Sequence, residues 1–206
     1  VPVKTGQSYK IMAITLNGSG TVTGISAGGL PDGCIQSADI ASGVIPAGGK
    51  ILQVKQSVKT DTGTTSSSTY ADISGLSVSI TPASASNKIL VSFNGYFSGV
   101  VNSFPGFKIL RNSTAIGLGT GASGNQTNVS MGIVNLNASS SAFGLVNASF
   151  EFLDDAQDTN AHIYKLQWSS TFNSAAIYIN RPQVTTDNRA LEMFPSSQIT
   201  VKEIAA

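Results

Sequence analysis

The stretch Lys88–Phe97 constrains the fold more than any other part of the sequence. One face of an extended chain would carry the apolar set Ile89, Val91, Phe93 and Gly95. The residues between them would point to the other face, and this period of two residues is what a half-buried β-strand requires. A shorter alternating run, Leu76–Ile80, precedes it across the breaker-rich segment 81–87. We expect these two strands, joined by a turn, to form the nucleus of the sheet.

The rest of residues 51–206 repeats this pattern of short alternating runs separated by breakers. The predicted strands are 51–59, 76–80, 89–97, 107–111, 129–136, 143–153, 163–168, 176–179 and 199–204. No apolar period of 3.6 residues persists over three turns, so the sequence predicts an all-β, jelly-roll-like β-sandwich. If these strands run up and down in turn, the loops after the odd-numbered strands share one end of the sandwich. Those loops are residues 60–75, 98–105, 137–142 and 169–174.

Residues 1–50 have a different character, because dense Gly and Pro prevent long regular elements. A strand-like run, Tyr9–Leu16, is followed by a turn signal at 17–20 and a short returning run, Thr21–Ile25. The remaining large apolar residues are too few to form a core: Leu30, Ile35, Ile40, Val44 and Ile45. We expect the same segment of neighbouring chains to supply the missing interior. The prediction is a stalk of intertwined chains over residues 1–50 and a β-sandwich head over residues 51–206.

Composition and charge limit the partners. Charged residues make up 11% of the 206 residues, against about 25% in ordinary globular proteins. The net charge of +1 argues against a nucleic-acid partner, which would require a basic footprint. The single cysteine, Cys34, allows no intrachain disulfide. The apolar run Ile11–Leu16 is too short to span a membrane and lacks signal-peptide flanks, so we expect no membrane insertion. The chain is then expected either to stay in the cytoplasm or to leave the cell by a route such as lysis.

Two clusters match parts of known ligand motifs without their context. Gly119, Gly121 and Gly124 have the letters of a dinucleotide fingerprint, but no strand–helix unit surrounds them, so a loop is the favoured interpretation. The carboxylates of Asp154–Asp158 offer oxygen donors for calcium, but a glycine at the turn and a closing glutamate are absent. Asp and Asn also favour turns for local reasons. We favour a turn here and predict no cofactor and no metal, while the sequence alone leaves a cation at this loop open.

The sequence gives equally weak indications of a catalytic site. His162 is the only histidine, and no Gly-x-Ser-x-Gly nucleophile motif accompanies it. Glu151 and Asp154 would be the candidate glycosidase pair. Glu151, however, alternates outward between two phenylalanines of a predicted strand, which is the ordinary position of a solvated carboxylate. We therefore predict that the protein is not an enzyme.

Aromatic residues in breaker-rich loops are the better indication of binding. The segments 101–106 and 169–174 each place a phenylalanine next to Asn or Ser, a combination suited to a sugar face or a protein patch. Folding of either ring back onto the sandwich end is the equally weighted alternative. The candidate receptor-binding residues are Asn102, Phe104, Ser140, Phe172 and Asn173.

The order of these signals resembles the C-terminal parts of bacteriophage tail fibres and related virion structural proteins, especially those of marine phages. The segments that carry the resemblance are 12–24, 28–33, 37–41, 50–54, 76–82, 86–91, 109–114, 164–167 and 198–204. The resemblance covers nearly the whole chain and implies a homotrimer whose stalk joins a virion and whose head faces outward. Such heads are similar in plan to the trimeric jelly rolls of complement and tumour-necrosis-factor proteins.

The expected function is adhesion by a virion protein that is assembled in the host cytoplasm and released by lysis. Its expected partners are its own copies, other virion proteins through residues 1–50, and a glycan or outer-membrane component of the host surface. A capsid decoration or head fibre with a purely structural role is the alternative, because the predicted stalk is short for a long tail fibre. A polysaccharide-degrading tailspike is the less favoured third possibility.

Overall fold

The computed structural model describes residues 15–16, 22–23, 48–133, 142–170, 174–187 and 190–206. The chain divides into two compact units, Val1–Pro46 and Ala47–Ala206. In the first unit, β1 (Thr15–Leu16) pairs antiparallel with β2 (Val22–Thr23). These strands flank the turn signal at 17–20 as the sequence predicts. The apolar residues from Leu30 to Ile45 lie outside the described residues, and the intertwined stalk stays a prediction.

In the described part of the second unit, all regular structure is β-strand. The strands are β3 (Ile51–Lys59), β4 (Gly63–Thr65), β5 (Ala71–Ile80), β6 (Lys88–Gly99), β7 (Pro105–Arg111), β8 (Thr114–Ile116), β9 (Met131–Gly132), β10 (Val146–Asp154), β11 (His162–Ser170), β12 (Ile177–Ile179) and β13 (Ser197–Ile204). Where they overlap the predicted runs, their bounds differ mostly by a few residues. The all-β prediction is confirmed for the described residues.

The strand pairing is nested, as in a long hairpin rolled up on itself. The outermost strands pair first, β3 with β13, then β5 with β11, β6 with β10, and β7 with β8, all antiparallel. Pairing of β6 with β13 and of β7 with β11 joins these hairpins into two sheets. This nesting is the topology of a jelly roll, so the predicted class of β-sandwich is confirmed.

The first sheet contains two short strands placed in line with longer ones. Phe97 of β6 pairs with Val146 of β10 on one side and with Ile179 of β12 on the other. Strands β12 and β13 therefore follow one another along the same edge of β6. Asn180 directly follows β12 and has a φ of 60°, a left-handed conformation that Asn tolerates. Its side-chain nitrogen donates to the Lys59 carbonyl at 2.8 Å, and its side-chain oxygen accepts from Ser197 Oγ, at the start of β13, at 2.5 Å.

The core lies between the two sheets and is centred on β6. Its inward face is fully buried, as the two-residue period predicts, and comprises Ile89, Val91, Phe93 and Phe97. A Cβ at Gly95 would overlap the Phe93 ring, so glycine at this position gives the ring its space. Across the core, the centroids of Phe97 and Phe107 lie 4.5 Å apart, within the range of favourable aromatic contacts.

Two expectations about strand organisation are wrong. Strands β5 and β6 do not pair with each other, because segment 81–87 crosses from one sheet to the other. Residues 60–75 are also not a simple loop, since β4 and the first half of β5 lie within them. Gly63, Ala71 and Asp72 are residue types depleted in strands, but pairing of β4 with β12 and of β5 with β11 supplies the backbone hydrogen bonds.

The sandwich has two ends with different contents. Strands β3 and β6 both run antiparallel to β13, so their last residues, Lys59 and Gly99, lie at the same end. The connections that begin at residues 60, 100 and 171 leave from this end, and β10 begins there, as the strand count predicts. We call it the loop end. At the opposite end, which we call the terminus end, Lys50 and Ala205 are joined by a backbone hydrogen bond of 2.8 Å.

Candidate functional site

The loop between β6 and β7 places Phe104 at the loop end. Ser103 N donates to the Val100 carbonyl at 3.0 Å and closes a tight turn. Asn102, inside this turn, has a φ of 64°, which explains an asparagine there by backbone conformation alone. Phe104 follows half-buried, and the buried Pro105 begins β7. The turn therefore fixes where the aromatic ring leaves the sandwich.

A second loop, residues 117–130, approaches the same place and is held by hydrogen bonds. Gly119 N donates to the Val129 carbonyl at 3.2 Å. Ala122 N donates to Asn128 Oδ1 at 3.0 Å, and Ser123 N donates to Gln126 Oε1 at 2.9 Å. In the described residues that follow these glycines, the chain continues as a loop into β9 and not as a helix, so the loop interpretation of the glycine motif is confirmed.

Strand β9 returns the chain to the edge of β7. Gly132 pairs directly with Gly106, and Ile133 N donates to the Pro105 carbonyl at 3.2 Å. Gly106 is buried and Gly132 is exposed. Gly132 carries no side chain, so a partner molecule can approach the exposed backbone closely at this position.

These three segments enclose a groove of about 450 Å³, within the range of small-molecule sites. We call it the Phe104 groove, and its lining residues are Phe104, Pro105, Gly106, Asn125, Thr127, Val129, Gly132 and Ile133. The lining combines an aromatic ring and aliphatic side chains with one amide and one hydroxyl. It contains no charged residue, so the groove suits a neutral ligand with both apolar and hydroxyl-bearing faces.

The predicted receptor-binding residues divide into two sets. Asn102 and Phe104 lie together at the loop end, and Phe104 lines the groove while Asn102 is not among its lining residues. Ser140, Phe172 and Asn173 lie outside the described residues. Sequence reasoning missed Asn125, Thr127 and the glycine pair. The glycine-rich composition of 117–124 indicated only a loop, and no local pattern indicates which strand edge that loop contacts.

The aspartate cluster near residue 154 does not converge on a common point. Asp154 ends β10, is 5% exposed, and accepts from Arg111 Nη1 at 2.8 Å and from the Tyr164 hydroxyl at 2.7 Å. Burial, reinforced by the carboxylate of Asp154, raises the pKa of Tyr164. The predicted turn therefore begins only after Asp154, which is a strand residue with a structural ion pair.

The other two carboxylates have separate partners, a lysine and a histidine. Asp155 pairs with Lys88, and hydrogen bonds from Lys88 and Gln157 lower the pKa of the Asp155 carboxyl. Asp158 Oδ1 lies 3.0 Å from His162 Nε2. The Asn160 N–H, with His162 adding to its effect, lowers the pKa of Asp158. Among the described residues, no group of three or more His, Cys, Asp or Glu side chains is placed to hold a metal ion.

The candidate glycosidase pair is separated by the sheet itself. Glu151 is exposed on the outer face of β10 and accepts from Ser92 Oγ at 2.9 Å. Asp154, three residues later, faces the interior, because successive strand residues alternate between faces. The two carboxylates cannot flank one sugar bond from opposite sides of a strand. His162, 4% exposed, contacts Asn112 through Nδ1 at 3.3 Å as part of the terminus end.

Comparisons with known proteins give little beyond this geometry. No protein-family model matches the sequence, and no curated protein does. Among solved structures, the chain is similar to a chain of the structure of infectious bursal disease virus Gx strain, with 10% identity and a TM-score of 0.30. The match covers 76% of this chain and 38% of that one. In the part of the chain that the structure describes, no helix is long and apolar enough to cross a membrane.

Proposed function

We propose that this chain is a structural protein of a bacteriophage particle, forming a trimeric fibre or spike whose jelly-roll head attaches to the host cell surface. The sequence resemblance supports the virion assignment. The observation that carries the adhesive role is the Phe104 groove, a neutral, ligand-sized concavity at the loop end. Lys50 and Ala205, near the two ends of this unit, lie at the opposite end of the sandwich. Neither of them therefore lies among the loops that form the groove.

A trimer would make weak attachment effective. Three identical grooves on one head act at a shared effective concentration, which raises avidity by roughly 10²–10⁴ over a single site when geometry allows simultaneous binding. A shallow groove with few polar contacts is therefore sufficient for adhesion. Residues 1–50 would join the head to other virion proteins, and host lysis would release the assembled particle.

The trimer is supported by an apolar stripe along the outer face of the edge strand β3. Leu52, Val54 and Val58 alternate along this face and are 48%, 53% and 45% exposed. Gln56 lies between Val54 and Val58 on the same face. Exposed apolar residues grouped on an edge strand are an interaction surface or an aggregation liability. A closed ring of three copies would cover the stripe through a heterologous contact.

Substitution Val54→Asp tests this contact. We expect light scattering to give three times the chain mass for the native protein and a lower mass for the variant, because the aspartate would be buried without a partner. Lys55→Asp, on the same strand and also exposed, is the control and should keep the trimer. A native protein that is a folded single chain at micromolar concentration would contradict the trimer.

The location of the protein on particles tests the virion role. Antibodies against the head should label the tips of fibres or spikes, and the purified chain should slow adsorption of particles to the host by occupying their receptors. Labelling spread over the capsid shell, with no competition for adsorption, would replace adhesion by a decorating role. Absence of the protein from purified particles would remove the virion assignment.

A further inference from the structure

The Phe104 groove has a lining whose chemistry selects among ligand classes. None of its eight lining residues is ionisable, whereas phosphate or carboxylate ligands are normally met by Arg, Lys or a helix N-terminus. The groove therefore has no provision for an anion. Its polar groups, the Asn125 amide and the Thr127 hydroxyl, each both donate and accept hydrogen bonds, as a hydroxyl-rich ligand requires.

The apolar lining is placed for a ligand with a flat hydrocarbon face. Phe104 is half-buried and lines the groove, and Val129 and Ile133 add aliphatic surface. A pyranose ring has a face of C–H groups and a rim of hydroxyls, which matches an aromatic ring beside an amide and a hydroxyl. A purely apolar ligand would leave the amide and hydroxyl unused, and a purely polar one would leave the ring exposed.

The bare backbone of the groove supplies the close approach. A Cβ added at Gly132 would have Val129 Cγ2, at 3.7 Å, as its nearest neighbour, which is an ordinary contact. The fold therefore tolerates a side chain at Gly132, so packing within the head does not require a glycine there. The space that a side chain would occupy at this position is open to a ligand in the groove.

We infer that the Phe104 groove binds a neutral saccharide, with the sugar's C–H face on Phe104, its hydroxyls on Asn125 and Thr127, and its edge against the exposed backbone of Gly132. This inference rests on the proposed adhesive function and names its ligand class. It assigns a specificity: neutral hexose or N-acetylhexosamine units rather than acidic ones.

Titration of the purified full chain with defined oligosaccharides tests the inference. The probes are oligomers of glucose, galactose, mannose and N-acetylglucosamine, with oligogalacturonate as the anionic comparison, followed by ligand-observed NMR. We expect at least one neutral probe to bind and oligogalacturonate to bind more weakly. Failure of all neutral probes up to about 10 mM, a concentration that detects even weak sites, or tighter binding of the anionic probe, overturns it.

Substitutions locate the binding. Gly132→Val fills the groove and Phe104→Ala removes the ring, and each should weaken the best neutral probe about tenfold or more. Gly121→Ala is the matched control, because a Cβ there has open space and Gly121 does not line the groove; it should change nothing. Gly132→Ala, the smallest addition, should give an intermediate loss and guards against misfolding of the valine variant. Neutral binding that survives both Gly132→Val and Phe104→Ala contradicts the site.

Failure of this inference is separable from failure of the proposed function. If no saccharide binds but the chain labels fibre tips and competes for adsorption, the ligand assignment is wrong and adhesion stands. If a saccharide binds as expected but the chain is absent from particles, the groove is correct and the virion role is wrong.

Discussion

The two ends of the head are stabilised by different chemistry. At the terminus end, buried charges are held by several hydrogen bonds each, as at Asp154 and at Glu203. The Glu203 carboxylate is 0% exposed and accepts from Gln53, Asn87 and the Ala83 N–H, each at 2.6 Å. At the loop end, the buried polar groups are mainly small and neutral, such as Ser98, Ser170 and Asn180.

This difference follows from the cost of burying each kind of group. A buried carboxylate is tolerated only with nearly complete hydrogen bonding, so its neighbours must keep fixed positions. A buried hydroxyl is tolerated with a single hydrogen-bond partner, as is Ser170 Oγ at 2.6 Å from the Ala175 carbonyl, so fewer of its neighbours must keep fixed positions. The terminus end therefore fixes the register of the roll, and the loop end tolerates sequence change near the proposed binding surface. Lys59, buried beside the exposed Asp61 at 2.9 Å, is the exception at the loop end.

The largest effect is expected at Glu203. Glu203→Gln keeps the shape but presents an NH₂ group to donors from segment 81–87, so the free energy of unfolding should fall by about 2–4 kcal/mol. Urea unfolding measures this. Glu151→Gln on the exposed outer face, with one hydrogen bond, is the control and should change stability by less than about 0.5 kcal/mol. Equal effects for the two variants would show that burial and the three hydrogen bonds of Glu203 do not determine its contribution to stability.

Acid should destabilise the head, in part through Glu203 at the terminus end. Burial alone would raise the pKa of Glu203, but its hydrogen bonds from Asn87, Gln53 and Ala83 outweigh burial and lower that pKa. A carboxyl with a lower pKa in the folded state stabilises fully above its unfolded pKa of about 4.3, and the contribution is lost as pH falls through the folded value. The urea midpoint should therefore drop below about pH 4.

The same titration in Glu203→Gln identifies the group responsible. The variant has lost the titrating carboxyl, so its urea midpoint should depend less on pH than that of the native protein. Asp72, whose pKa is lowered by Lys165 with a smaller contribution from Gln167, should contribute the same sign in both proteins. An identical pH dependence in the two proteins would show that Glu203 does not titrate as proposed.

The smallest effect is expected at Ser103 in the loop end. Its hydroxyl is 0% exposed and has no hydrogen-bond partner among the described residues. Ser103→Ala removes a buried polar atom without breaking a hydrogen bond, so stability should stay within about 0.5 kcal/mol or rise. Thermal unfolding followed by circular dichroism measures it. A loss near that of Glu203→Gln would show that the loop end also depends on a fixed polar network.

The sequence predicted what local periodicity can encode. Alternation from Ile89 to Phe97 identified the inward face of β6, and the outward position of Glu151 followed from the same rule. The strand count also placed the loops after β3, β6 and β11 at one end. The fold class was predictable because it depends on short-range alternation of apolar residues. The position of the loop end was predictable because it depends only on whether each strand is odd or even in the order of the chain.

The parts that it did not predict depend on distant pairing. Gly63–Thr65 looks like a breaker, yet it is a strand because β12 lies beside it. The contact of Gly106 with Gly132 joins positions 26 residues apart in sequence, and no local pattern indicates it. Asp154 was assigned to a turn, since its partners Arg111 and Tyr164 come from two other strands. Long-range pairing, not composition, determines the groove.

Binding of the purified chain to host cells tests most directly whether the loop end is the attachment surface. Fluorescently labelled chain should bind saturably, Gly132→Val at the loop end should abolish binding, and Ala85→Val at the exposed turn of the terminus end should leave it unchanged. Binding that is lost with Ala85→Val and kept with Gly132→Val would assign attachment to the opposite end and contradict the proposal.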